Sequence, residues 1–221
     1  MDGGHTIRNV LHSECANLLL SKKNPNRVFV AGQVNGSYLG LHFSKTGGNS
    51  WTSVRVSSQY GSYATAVAVD PKNDNIIYVG GCNVSWESIL YRSTNGGSAW
   101  TDISEEGLQG PINDISIDPD FPNIIYIAHG WGVYRSEDYG STWTHISSIS
   151  SSRVEINSLN STEIFSGGTH GVYSSKDRGN NWQDLNRGFD LYNGVTWLEF
   201  DASARILYVA TMCGGIYKRT I

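Results

Sequence analysis

Ser136-Glu137-Asp138-Tyr139-Gly140-Ser141-Thr142-Trp143 is one of four copies of a single short pattern. The others are Ser44-Lys45-Thr46-Gly47-Gly48-Asn49-Ser50-Trp51, Ser93-Thr94-Asn95-Gly96-Gly97-Ser98-Ala99-Trp100 and Ser175-Lys176-Asp177-Arg178-Gly179-Asn180-Asn181-Trp182. Their common form is S-x-(D/N/T)-x-G-x-x-W. Trp51, Trp100, Trp143 and Trp182 are 49, 43 and 39 residues apart. Self-similarity at such a period marks a repeat architecture, and this period is the length of a four-stranded propeller blade.

A second landmark lies upstream in each unit. Ala66-Val67-Ala68-Val69-Asp70-Pro71 matches Asp114-Ile115-Ser116-Ile117-Asp118-Pro119, and eight residues after each Asp stands a tyrosine, Tyr78 or Tyr126. Asn157 reaches Phe165 and Ser21 reaches Phe29 at the same distance, whereas Asp201 reaches Tyr208 one residue sooner. Five units result. In each, alternating apolar residues bounded by Gly, Asn and Pro predict four strands. The expected fold is therefore all-β, a single β-propeller over 1–221 with five blades at about 14–56, 63–104, 111–147, 152–186 and 194–221. The last unit stops before a fourth strand. His5-Thr6-Ile7-Arg8-Asn9-Val10-Leu11 precedes the first unit without a partner and is expected to supply that strand, closing the ring.

In the repeated turn, Ser44, Ser93, Ser136 and Ser175 open the motif. Asn95, Asp138 and Asp177 are expected to accept backbone N–H groups two residues on. Gly97, Gly140 and Gly179 supply the positive φ, and Trp51, Trp100, Trp143 and Trp182 pack over the turn. A feature present in every blade is a folding element, because a catalytic group is needed once. On these residues the chain resembles the Asp-box (BNR) repeat proteins, which include sialidases, family 74 xyloglucanases, sortilin-type receptors and the photosystem II stability/assembly factor. The resemblance implies a propeller and leaves function open. Sialidases have an Arg-Ile-Pro signature that is missing here, and Arg153 stands alone where they carry an arginine triad. Family 74 enzymes carry a catalytic Asp after the second strand. The matching segments here, Val30-Ala31-Gly32-Gln33, Ile127-Ala128-His129-Gly130 and Ala210-Thr211-Met212-Cys213, hold no carboxylate. An assembly role would call for an arginine-rich patch, which the sequence does not show.

Net charge is −4 without a basic block, which argues against nucleic acid as a partner. No apolar run is long enough to insert in a membrane, and no signal segment is visible. Cys15, Cys82 and Cys213 show no metal spacing; a Cys82–Cys213 bridge is conceivable, and three idle thiols is the simpler reading. No cofactor or metal is implied, and a monomer is expected.

Two functional readings remain. Propellers bind ligands at the channel mouth, through the loops after the second and fourth strands. Those loops carry Tyr38, Trp86, His129, Trp131, His170 and Tyr192, a rim suited to a glycan or a protein partner. This favours a non-catalytic binding module. The alternative is a glycoside hydrolase or lyase using Asp114, Glu155 and Glu199. Such chemistry needs two carboxyl groups roughly 5–9.5 Å apart. Glu155 and Glu199 align in adjacent units and Asp114 lies two residues earlier in its own, so all three are placed to face the channel.

Overall fold

The computed structural model describes residues 15–188 and 194–221, and among them every regular element is a β-strand. The strands form five antiparallel sheets in chain order. The first contains β1 (Cys15–Leu20), β2 (Val28–Val34), β3 (Tyr38–Ser44) and β4 (Thr52–Tyr60). The second contains β5 (Tyr63–Asp70), β6 (Asn73–Cys82), β7 (Ser88–Ser93) and β8 (Thr101–Asp102). The third contains β9 (Ile112–Ile117), β10 (Ile125–His129), β11 (Gly132–Ser136) and β12 (Thr144–Ser147). The fourth contains β13 (Arg153–Ile156), β14 (Ile164–Gly168), β15 (Gly171–Ser175) and β16 (Gln183–Asp184). The fifth has three described strands, β17 (Val195–Asp201), β18 (Ile206–Thr211) and β19 (Gly215–Thr220). Residues 5–11, expected to complete it, lie outside the described residues.

The turn between the first two strands of each sheet explains why Asp, Asn or Ser recurs there. Asp70 Oδ1 accepts the N–H groups of Lys72 and Asn73, and Asp118 Oδ1 those of Asp120 and Phe121. Ser21 Oγ accepts those of Lys23 and Asn24, Asn157 Oδ1 that of Leu159 and Asp201 Oδ1 that of Ala204. A short polar side chain thus satisfies backbone donors that the ladder cannot reach.

The core runs in seams between successive sheets. Phe29, Tyr78, Tyr126 and Phe165, on the second strand of sheets one to four, are fully buried. Trp100, Trp143 and Trp182 each pack into the seam between their own sheet and the preceding one.

The Asp-box bonds differ in one respect from the expected pattern. The serine, not the Asp, makes the bond to the residue two on: Ser136 Oγ accepts the N–H groups of Asp138 and Gly140. Asp138 instead accepts the Ser136 hydroxyl on one side and, four residues on, the Thr142 N–H. Asp177 does the same with Ser175 and Asn181. The motif glycine has φ near +90° in all four copies. The residue before it is also left-handed: Gly47 and Gly96 in two turns, Tyr139 and Arg178 in the other two. Where that residue is not glycine, an arginine of the preceding sheet holds its carbonyl. Arg92 Nη1 donates to Tyr139 O at 2.8 Å and Arg135 Nη1 to Arg178 O at 2.6 Å.

Candidate functional site

Two regions gather the residues singled out in the sequence. The first is a cavity of about 530 Å³ lined by the first strand of all five sheets. It brings Asp114, Glu155 and Glu199 together, with Lys22 and Arg153. Asp114 is a tie between sheets: Oδ2 accepts the Val154 N–H at 3.1 Å and Oδ1 the Ile115 N–H at 3.0 Å. Burial raises its pKa, against the opposing pull of Arg153 and these two N–H groups. Arg153 is committed to packing, donating to Asn113 O and Ser152 O with its guanidinium 4.8 Å from the centre of the Trp197 ring. Glu155 faces the cavity and is half-buried. Burial first, and then the neighbouring Glu199 carboxylate, push its pKa up to about 8, with Lys22 pulling the other way.

The second region lies on the opposite edge from the Asp-box turns, where the second and third sheets meet. Trp86 and Trp131 project there, 57% and 53% exposed. Neither folds back over its sheet. The Trp86 loop is fixed by Asn83: its Oδ1 accepts the N–H groups of Ser85 and Glu87, its backbone O accepts the Trp86 N–H, and its Nδ2 donates to Glu87 Oε2 at 2.7 Å. Trp86 itself has φ +64°, a conformation a bulky residue adopts only when its surroundings impose it. Gly110 N–H donates to Trp86 O, tying the loop to the segment that enters the third sheet.

His129 sits under this surface. It was expected at the rim as a ligand contact, but it is 1% exposed and both ring nitrogens are engaged. Trp131 N–H donates to Nδ1 at 3.0 Å, which places the proton on Nε2, facing Ser88 Oγ at 3.4 Å. Ser88 in turn donates to Gly110 O at 2.6 Å. Burial holds the His129 pKa below its ordinary value, so the ring stays neutral. The His129 ring meets Trp131 edge-on at 5.8 Å and Tyr134 at 6.1 Å, and Tyr134 stacks on His145 at 4.5 Å. His145 Nε2 donates to Trp131 O at 3.0 Å, which fixes the imidazole's tautomer. His129 is therefore a positioning residue for the Trp131 hairpin, and no local sequence signal separates it from an exposed loop histidine. Gly110 lets the two loops approach: a Cβ there would stand 3.3 Å from His129 Nε2 and 3.7 Å from Trp86 Nε1. A polar cleft of about 260 Å³ adjoins the surface, lined among others by Gln59, Asn83, Glu87 and Gln109.

The remaining rim residues stand apart. Tyr38 meets Tyr60 edge-on at 5.7 Å and carries the Arg55 guanidinium at 4.8 Å. His170 is exposed on the fourth sheet, with Nδ1 3.1 Å from Thr169 Oγ1. Tyr192 lies outside the described residues. Cys82 is a buried free thiol and Cys213 an exposed one. Among the described residues no three His, Cys, Asp or Glu side chains cluster as a metal site, and no helix is long and apolar enough to cross a membrane.

The sheets form a propeller-like fold, and their repeated turns resemble those of Asp-box repeat proteins. The BNR-Asp box repeat family matches residues 133–146, which span the third turn and its flanking strands. A xyloglucanase of Hypocrea jecorina (strain QM6a) is 26% identical over 161 residues, 68% of this chain and 19% of the relative. Among solved structures, the GH74 xyloglucanase from Xanthomonas campestris superposes with a TM-score of 0.76 at 16% identity, covering 96% of this chain and 37% of that one. An ancestral GH74 enzyme superposes at 0.73 with 19% identity, over 92% of this chain and 30% of that one. The chain thus spans about a fifth of the length of the curated relative it matches.

Proposed function

We propose that the five sheets are successive propeller blades that form a non-catalytic glycan-binding module. Trp86 and Trp131 are its stacking platform, and the polymer is a β-glucan of the xyloglucan type. One observation carries this reading: two exposed indoles converge on one seam, each held by a hydrogen-bonded scaffold that serves no folding need elsewhere in the repeats. Flat aromatic faces bury the apolar faces of pyranose rings, and the amides and carboxylates of the adjoining cleft suit their hydroxyls. The xyloglucanase relatives support this polymer class. Affinity electrophoresis in xyloglucan gels tests it. The wild type is expected to be retarded, and Trp86→Ala/Trp131→Ala to migrate freely with an unchanged Tm. Equal mobility of the two proteins would remove the platform from the account.

A second reading is favoured by Glu155, whose raised pKa beside Glu199 is the pairing that a general acid and its partner carboxylate require. Reducing-sugar release from xyloglucan decides between the two. The module reading expects none from the wild type. The hydrolase reading expects turnover that Glu155→Gln abolishes while gel retardation persists.

A further inference from the structure

The flank of the fifth sheet is built to receive another blade. In register terms, Tyr78 pairs with Arg92, and Gly80 with Leu90, in the second sheet. Tyr126 pairs with Arg135, and Ala128 with Val133, in the third. On both sheets this trio of tyrosine, aliphatic residue and arginine faces the next blade, which buries the first two and offers an Asp-box turn carbonyl to the third. The fifth sheet repeats the trio: Tyr208 pairs with Lys218 and Ala210 with Ile216. Here no described residue covers it. Tyr208 is 39% exposed and Ile216 80%, whereas the residues in the place of Ile216 in the other sheets, Leu41, Leu90, Val133 and Val172, are buried.

The matching half-interface stands at the other end of the array. On sheets two to five, the residues in the places of Leu18 and Leu20 pack against the preceding sheet, as Val154 and Ile156 do. On the first sheet Leu18 is 59% and Leu20 55% exposed. Beside them the first sheet carries its own Asp-box turn, Ser44–Trp51, with a left-handed residue, Gly47, in the place of Tyr139 and Arg178.

We infer that two copies of this chain associate head to tail, the Tyr208–Ile216–Lys218 flank of one docking on the Leu18–Leu20 flank and Asp-box turn of the other. A second copy is the occupant because the first sheet is the one described flank that offers an uncovered Asp-box blade, and among the described residues both flanks are exposed. Such a contact is heterologous: each copy uses a different surface. Exposed apolar residues on both flanks supply the driving force, and Lys218 takes the place of the arginine donor. The inference departs from the monomer expected from the sequence, and it does not depend on the glycan reading.

Sedimentation velocity over a concentration series tests it with the full chain. The wild type is expected to grow in mass with concentration. Ile216→Asp and Leu20→Asp each disable one flank and are expected to be monomers, with circular dichroism unchanged because both sites are exposed. Mixed in equal amounts, the two variants still offer one intact flank each, and a 1:1 dimer that grows no further is expected. Lys218→Glu is expected to weaken wild-type association at least several-fold. A wild type that remains monomeric at its highest soluble concentration overturns the inference, as happens if residues 5–11 cover the flank within one chain. So does a mixture of the two variants that fails to dimerise.

Discussion

At the Asp-box edge, Ser44, Ser93, Ser136 and Ser175 each accept two backbone N–H groups, two and four residues on, in four successive sheets. At the opposite edge the connections between second and third strands are held by different side chains. One is pinned by Asn83, another by a buried histidine, and a third turns through Thr169 and His170. The two edges belong to the same strands, so the difference is not one of fold. A bond repeated in four successive sheets answers a need that each of them has, the closing of a turn. A scaffold built once, around Trp86 and Trp131, answers a need that arises once.

The sharpest way to break this comparison is to remove a repeated bond. Ser136→Ala leaves the N–H groups of Asp138 and Gly140 without their acceptor at a buried position and frees Asp138 from its hydroxyl donor. A loss of about 2–3 kcal/mol is expected, read as a lower urea midpoint at unchanged m-value. The Trp86→Ala/Trp131→Ala variant should show no such loss. If the serine variant is as stable as wild type, the turn bonds are incidental and repetition is a poor guide to structural role.

Much of the Asp-box edge was legible in the sequence, because its bonds join residues within eight positions of one another. The five units, their strands and the polar residue capping each first turn follow from local pattern alone. The loop edge was legible only as composition. That Trp86 and Trp131 stand at one seam depends on Gly110, some twenty residues from either, and on the ring of His129 turning inward. Asp114 looked like a channel carboxylate, and its role as acceptor for Val154 forty residues away has no local signature. The arginine clamps have no local signature for the same reason: Arg92 and Arg135 are ordinary strand residues until the next sheet is placed beside them.

The cavity carboxylates belong to neither edge, and their pH behaviour shows whether they act as a coupled site. A carboxyl whose pKa rises from 4.5 to about 8 on folding costs nothing while protonated in both states. Stability is therefore full below pH 4.5, falls as pH rises through this window, and reaches its floor above 8. Glu155→Gln removes that slope. Its Tm should equal wild type near pH 4.5 and exceed it at pH 9 by roughly several degrees. Equal melting temperatures at both pH values would mean that Glu155 is solvated like a surface residue, which would also remove the argument for an acid–base pair.

Within the repeated edge itself, the turns with and without glycine at the fourth position offer a finer comparison. Tyr139 has φ +61° and depends on Arg92 to hold its carbonyl, whereas Gly96 has φ +72° with no arginine of the first sheet to match, Phe43 standing in that place. Tyr139→Gly relieves a conformation that costs about 1 kcal/mol for a side chain with Cβ, and a gain of that order is expected. In the Arg92→Ala background the gain should persist, since the clamp acts on a carbonyl that both residues have. A loss of stability in Tyr139→Gly would show that the tyrosine ring, not its backbone, sustains the turn.

The smallest expected effect separates the carboxylate from its amide replacement in these turns. Asp177 is held down to about 2, first by the Asn181 side-chain amide and then by the Asn181 N–H and the Ser175 hydroxyl. Because the folded pKa lies below the usual 3.8, its contribution is present above that value and is lost as pH falls towards 2. Asp177→Asn keeps an acceptor for the Asn181 N–H and the serine hydroxyl, as Asn95 does in the second turn, and gives up only the second oxygen. At pH 7 the variant should melt within a degree or two of wild type. Between pH 4 and 2 its melting temperature should fall less steeply. Parallel acid profiles for the two proteins would mean that the charge on Asp177 contributes nothing, and that the aspartates in two of the four turns are interchangeable with Asn95 because the geometry of the acceptor, rather than its charge, closes the turn.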